Sequence, residues 1–142
     1  MIIVDANLLI YAVNRDSLFH SAAKRWLETS LSGPEYVGLS WVVILAFLRL
    51  TTRPGISQHP LSVETALAVL DAWLAQPTVL VVHPTSRHSS VLRGLLAPLG
   101  TGGNMTTDAH LAALSIEHGA TLCSTDNDFA KFPRVRFVNP LL

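Results

Sequence analysis

The sequence predicts an α/β fold: a three-layer α/β/α domain with a central parallel sheet of about five strands. Two observations carry the prediction. Short apolar runs rich in β-branched residues alternate with helix-length amphipathic stretches. The apolar runs also lack polar alternation, as strands buried on both faces do. Ile2 to Val4, Tyr36 to Gly38, Thr78 to Val82, Ala120 to Ser124 and Val135 to Val138 are the five runs. Helical spacing is clearest in Val63, Ala66, Leu67, Leu70, Trp73 and Leu74, behind Ser62 as a candidate N-cap. Phe19, Ala22, Ala23, Trp26 and Leu27 repeat that spacing, as do Val91, Leu92, Leu95, Leu96 and Leu99. Another helix begins after Thr106 or Thr107 and stops at Gly119, a natural C′ residue, which puts Asp108 in its first turn. Strands separated by helices imply right-handed crossovers and helices on both faces. Residues 1–142 contain no linker that would split them, so one domain is expected.

The segment Trp41 to Leu50 is apolar nearly all round. Such a helix either runs through the centre of the domain or turns its outer side to another chain.

The chain has 142 residues, 49% hydrophobic and 14% charged, with ten basic residues balancing ten acidic ones. A soluble domain carries roughly 25% charged residues, so the few carboxylates here are placed rather than scattered. Zero net charge excludes a binder that relies on a global positive field, although a local basic groove remains open. A single cysteine, Cys123, precludes an internal disulfide and fits a reducing compartment. There is no basic leader followed by an apolar stretch and cleavage site, and no run of about 20 apolar residues that would span a bilayer. The expectation is a cytoplasmic protein without a membrane partner.

In open parallel sheets the functional crevice lies beyond the carboxyl ends of the strands. Asp5 follows the first strand directly, and Asp126 and Asp128 follow the strand ending at Ser124. Asp108 starts on the same edge if its helix crosses over normally. Four acids on one rim repel one another unless a cation sits among them. An all-oxygen donor set selects Mg²⁺ or Mn²⁺ over zinc, and such sites suit phosphoryl chemistry. Asp126 and Asp108 also serve as helix-cap and helix-dipole residues, and Asn7 as a turn former. Asp5, a carboxylate directly after Ile-Ile-Val, has no comparable local role. The six histidines follow no metal-ligand spacing and are read as structural or surface residues.

The opening Met1-Ile2-Ile3-Val4-Asp5-Ala6-Asn7-Leu8-Leu9-Ile10-Tyr11-Ala12 resembles that of PIN domains. Thr106 to Leu114 resembles their central acidic helix, and Ser124-Thr125-Asp126-Asn127-Asp128-Phe129 their closing element. With Phe47-Leu48-Arg49 and Val138-Asn139-Pro140-Leu141, the resemblance spans essentially the whole chain. It is strongest to the VapC type, the toxins of bacterial type II toxin-antitoxin pairs. The resemblance implies an endoribonuclease using Mg²⁺ or Mn²⁺, a homodimer, and a VapB-like antitoxin as partner. By position it makes Asp5 and Asp108 the principal metal ligands and has Asp126 and Asp128 complete the pocket. It also gives Ser124 or Thr125 a supporting hydrogen bond and sets Arg49 at a phosphate or in the dimer. One position departs from the family pattern: the usual helix glutamate is Ala46 here, leaving Glu28, Glu35 and Glu64 as the remaining candidates in the first two-thirds of the chain.

Arg15, Arg49, Arg53, Arg87 and Arg93 are candidate contacts to an RNA backbone. Trp41 either stacks on a base or fills the dimer seam, and Gly100 to Gly103 reads as a loop. The competing reading is a PIN-fold binding module without catalysis, motivated by Ala46. A phosphoacceptor domain is disfavoured because position 7 is Asn7 and the only lysines are Lys24 and Lys131.

Overall fold

A computed structural model describes residues 1–55 and 58–142. Five parallel strands, β1 (Ile2–Val4), β2 (Val37–Leu39), β3 (Val79–Val81), β4 (Thr121–Cys123) and β5 (Phe137–Val138), form one sheet in the order β3-β2-β1-β4-β5. All four pairings are parallel. The helices are α1 (Ala6–Val13), α2 (His20–Leu31), α3 (Trp41–Thr52), α4 (Val63–Leu74), α5 (His88–Leu96) and α6 (Thr106–Glu117). Outward steps from β1 to β2 to β3 keep α1–α4 on one face, where they contact one another. The return from β3 across to β4 puts α5 and α6, which also touch, on the other. The strand order reverses between β1 and β4, which is where an open α/β sheet opens its crevice.

The expected strands are all present, β1 with the expected bounds and the other four shifted or shortened by one or two residues at their ends. Helix α1 is an addition that spacing does not reveal. Leu8 and Leu9 are both buried and Ile10 to Val13 are largely covered, so both sides are apolar and no periodic stripe remains. Ser62 accepts from the Thr65 amide and caps α4. Gly119 takes the left-handed conformation, φ +62°, that ends α6. The last residues expected in the fifth helix, Ala97–Leu99, tighten into a 3₁₀ turn containing Pro98. The Gly100 to Gly103 loop leads into a second 3₁₀ turn, Gly103–Met105, ahead of α6.

Within this chain α3 is not the enclosed central helix. Val43, Ile44 and Phe47 face the core, whereas Trp41 and Leu45 are 49% and 58% exposed. Phe47 and Trp73 bring α3 and α4 together, their rings 5.0 Å apart. No described helix is long and apolar enough to cross a membrane.

Gly38 in the middle of β2 is required by the sheet. A Cβ there would stand 3.0 Å from Val82 Cγ1 and 3.1 Å from Ile3 Cγ1, inside ordinary contact distance. Gly→Ala in a permissive strand position stabilises by about 0.4–1 kcal/mol through the unfolded chain. Gly38→Ala is expected to reverse that sign and cost about 1–3 kcal/mol by overpacking, read as a lower urea midpoint. An unchanged or raised midpoint would contradict the packing.

Candidate metal centre

The β1 end supplies Asp5, which caps α1: its Oδ1 accepts from the Ala6 amide at 2.7 Å. Its Oδ2 accepts from the Ser124 hydroxyl at 2.7 Å and from Asn7 Nδ2 at 3.3 Å. Ser124 follows β4 and is fully buried. Its hydroxyl also accepts from Asn7 Nδ2 and from the Asp126 amide, both at 3.0 Å, so its one donor and two acceptor positions are all used. The Thr125 amide donates to Asn7 Oδ1 at 3.4 Å. Thr125 therefore contributes its backbone, and the supporting hydroxyl is that of Ser124. Asn7 is the residue that ties both strand ends together.

Asp126 caps the 3₁₀ helix Asn127–Lys131 by accepting from the Asp128 amide at 2.9 Å. This local role coexists with another. One carboxylate oxygen from each of Asp108, Asp126 and Asp128 lies within 4.8 Å of the others, the two former half-buried and the last exposed. Asp108 reaches this place from the first turn of α6. Asp5 lies outside the trio, and its oxygens are already hydrogen-bonded, but it is coupled to it electrically. Burial, followed by the charges of Asp126, Asp5 and Asp128, pushes the Asp108 carboxyl up to about 6. Burial, with a smaller contribution from Asp126, also raises Asp5 above the usual carboxylate range, against the bonds from Ser124 and Ala6. Crowded carboxylates that resist ionising, with only oxygen donors among them, are the electrostatic counterpart of a hard divalent cation.

The basic residues are arranged differently from expectation. Lys131, absent from the candidate contacts, is the cation at the cluster: its Nζ lies 3.5 Å from Asp128 Oδ1, and its charge counteracts the rise at Asp108. The Asp128-x-x-Lys131 spacing on a short helix was the available signal. Arg15 instead lines a cavity of about 550 Å³ at the far end of α1, with Val13, Leu50 and His59. Arg87 is engaged by the Glu117 carbonyl at 3.2 Å. Arg93 sits in the last turn of α5, and Arg53 is exposed just past the end of α3. Arg49 is exposed in the last turn of α3, on the stripe of Trp41 and Leu45 and about 12 Å along the helix from its start.

No further acid joins from the first part of the chain. Glu35 pairs with the Met1 amino group at 3.1 Å, Glu28 lies 3.9 Å from Lys24, and Glu64 is in the first turn of α4. Glu117 is fully buried at the other end of α6, where it accepts from the Thr85 amide and hydroxyl at 2.9 and 2.6 Å. It also meets His88 Nδ1 at 2.5 Å, and His88 Nε2 meets His110 Nδ1 at 2.9 Å. Burial alone would raise Glu117, but these hydrogen bonds outweigh it and hold the carboxyl below its usual range. His88 and His110 thus brace α5 against α6, the structural role expected of them. Cys123 is buried and its thiol is pushed up to about 11 by burial, which keeps it from acting as a nucleophile at neutral pH.

The PIN domain family matches residues 2–135 of the chain. Ribonuclease VapC37 of Mycobacterium tuberculosis is 48% identical over 140 residues, covering 99% of this chain and 97% of the relative. Ribonuclease VapC33 of the same species is 38% identical over 141 residues, 99% of each. Among solved structures, VapBC2 from Rickettsia felis bound to a promoter DNA fragment superposes with a TM-score of 0.71 at 19% identity, over 98% of each chain. VapC20 of M. tuberculosis, a toxin that cleaves the sarcin-ricin loop, gives 0.67 at 21% identity over 96% of this chain and 98% of that one. These two likenesses concern the fold; the sequence matches along the whole length decide membership. The chain belongs to the PIN-domain family, in its VapC group.

Proposed function

We propose that this chain is a divalent-cation-dependent endoribonuclease and the toxin of a VapBC-type pair, acting in the cytoplasm on phosphodiester bonds of RNA. The observation that carries the reading is the convergence of Asp108, Asp126 and Asp128 at the strand-order reversal, where burial and the charges of Asp126, Asp5 and Asp128 hold Asp108 up to about 6. The ribonuclease names of the whole-length relatives supply the substrate class. Asp108, Asp126 and Asp128 hold the cation, Mg²⁺ or Mn²⁺, and Asp5 faces it from β1. When bound, the ion activates water and offsets charge on the phosphate under attack.

The residues around it do the remaining work. Ser124 and Asn7 fix the Asp5 carboxylate, so no side-chain entropy is spent on ordering it as substrate arrives. Lys131, at the solvent side of Asp128, offers its ammonium to a phosphate of the RNA backbone. The net charge of zero leaves this grip local. The exposed stripe of Trp41, Leu45 and Arg49 on α3 serves as the seam of a homodimer. This assigns Arg49 to the dimer rather than to a phosphate. A VapB-like antitoxin is the natural partner, since the fold matches chains solved as VapBC complexes.

Three outcomes are expected. Asp5→Asn and Asp108→Asn proteins should stay folded yet lose cation-dependent RNA cleavage by more than the roughly 10–100-fold typical of residues behind the ligands. Equal residual cleavage in wild type and both variants would point to a contaminant and refute the reading. The second concerns pH. The folded Asp108 carboxyl lies above its ordinary value of 3.8. Its contribution to stability in the cation-free protein is therefore full below that value and lost as pH rises through about 6. A cation binds the ionised form, so the rise in melting temperature produced by Mn²⁺ should be large at pH 7.5 and shrink as pH falls through about 6. A hundredfold excess over Kd is worth about 2.7 kcal/mol. A pH-independent shift would place the ion elsewhere. Third, Leu45→Glu is expected to convert the protein to monomers in sedimentation equilibrium, and an unchanged mass would remove the α3 seam.

A further inference from the structure

Ser40 follows β2 directly and occupies the N-cap position of α3. Serine is favoured there because its hydroxyl accepts from an amide of the first helical turn, but Ser40 makes no such bond. It is 1% exposed. Among the described residues, its Oγ is the buried side-chain polar atom that has no hydrogen-bond partner. Buried polar atoms are nearly always satisfied, and each exception calls for a physical reason.

Its place in the sheet supplies one. β1 and β2 are in register at Ile2 with Val37 and Ile3 with Gly38. Continued two residues, that register sets Ser40 beside Asp5. Both have extended backbones, φ −103° and ψ 154° for Ser40, φ −79° and ψ 157° for Asp5. A Cβ on Gly38 would stand 3.1 Å from Ile3 Cγ1, so these two positions face the same side of the sheet. Ser40 and Asp5, each two residues farther on, share that side by the period-two alternation of strands. The same continuation on the other flank, from Ile3 with Leu122, sets Asp5 beside Ser124. There the 2.7 Å bond from the Ser124 hydroxyl to Asp5 bears it out. Asp5 is thus bonded to the buried serine that follows β4, whose hydrogen-bonding positions are all used, while the buried serine that follows the other neighbouring strand, β2, uses none of its own.

We propose that Ser40 is a ligand of the cation site, its Oγ supplying a neutral oxygen donor from the β2 side. The inference rests on the cation reading above. Hard cations take neutral oxygens alongside carboxylates. A hydroxyl also adds a donor without adding charge to a place already crowded with carboxylates. The second turn of α3, which follows Ser40, carries Ala46 where the family pattern has its acid, so the β2 side offers no carboxylate of its own. An oxygen there that finds its partner only with the cation present accounts for an orphan in an otherwise satisfied interior.

The test uses the full chain as wild type, Ser40→Ala and Ser40→Thr, with Mn²⁺ affinity from calorimetry and melting temperature without the ion. Ser40→Ala should weaken Mn²⁺ binding by roughly tenfold or more, the effect of removing a supporting group at a metal site. Its cation-free melting temperature should be unchanged or higher, because an unsatisfied buried hydroxyl has been removed. Ser40→Thr, which keeps the oxygen, should bind close to wild type. Wild-type affinity in Ser40→Ala would overturn the proposal. So would a cation-free melting temperature lowered by several degrees with affinity intact, which would make Ser40 an ordinary helix cap. Absence of Mn²⁺ binding in the wild type would refute the cation reading itself, and this inference with it.

Discussion

The Ser124 hydroxyl is the contact on which the arrangement of the site depends. It donates to Asp5 and accepts from Asn7 and the Asp126 amide, so one buried oxygen joins the end of β1, the first turn of α1 and the loop after β4. Those segments are 119 residues apart in sequence. They meet because the chain winds outward from β1 and then returns to its other side, leaving the two strand ends as neighbours at the reversal. A change at Ser124 would release a carboxylate, an amide and a side-chain amide together, each left in a partly desolvated place.

Against this cohesion stands the repulsion of the carboxylates. Asp108 is carried into the cluster by α6, and α6 is anchored at its opposite end, where Glu117 accepts two bonds from Thr85 and one from His88. The same helix thus holds a well-satisfied acid at one end and a frustrated one at the other. Glu117 lies below the usual carboxylate range, whereas Asp108 is raised to about 6. The stable end fixes the helix, and that rigidity keeps Asp108 from moving away from its neighbours. A cation reconciles the two, because it turns the crowding of acids into a binding site. The orphaned Ser40 hydroxyl, at the end of β2, belongs to the same balance.

Much of this was legible in the sequence. The β-branched runs identified five strands, and the period of Val63 to Leu74 together with Ser62 identified α4 and its cap. Asp5 stood out because no helix was read behind it; the structure gives it a local role after all, as the cap of α1. What escaped was set by burial on several sides or by distant partners. Helix α1 is covered all round, so it shows no polar face to mark its period. The Glu117, His88 and His110 network is built on bonds between residues 22 and 29 positions apart that share no motif. Lys131 was passed over in favour of arginines, four of which lie along or just beyond the helices or at a remote cavity, and one of which bonds a backbone carbonyl. Ser40 carries no signal in the sequence, and only the missing bond at its N-cap position reveals that its hydroxyl is free for another partner.

The central claim is that the acids at the reversal form a single cation site flanked by two serines. Anomalous diffraction at the manganese edge from crystals grown with Mn²⁺ tests it most directly. The account predicts one strong peak bounded by carboxylate oxygens of Asp108, Asp126 and Asp128, facing Asp5, with the Ser40 oxygen turned toward it. No peak among these acids at Mn²⁺ concentrations that support RNA cleavage, or a peak confined to another part of the chain, would contradict it.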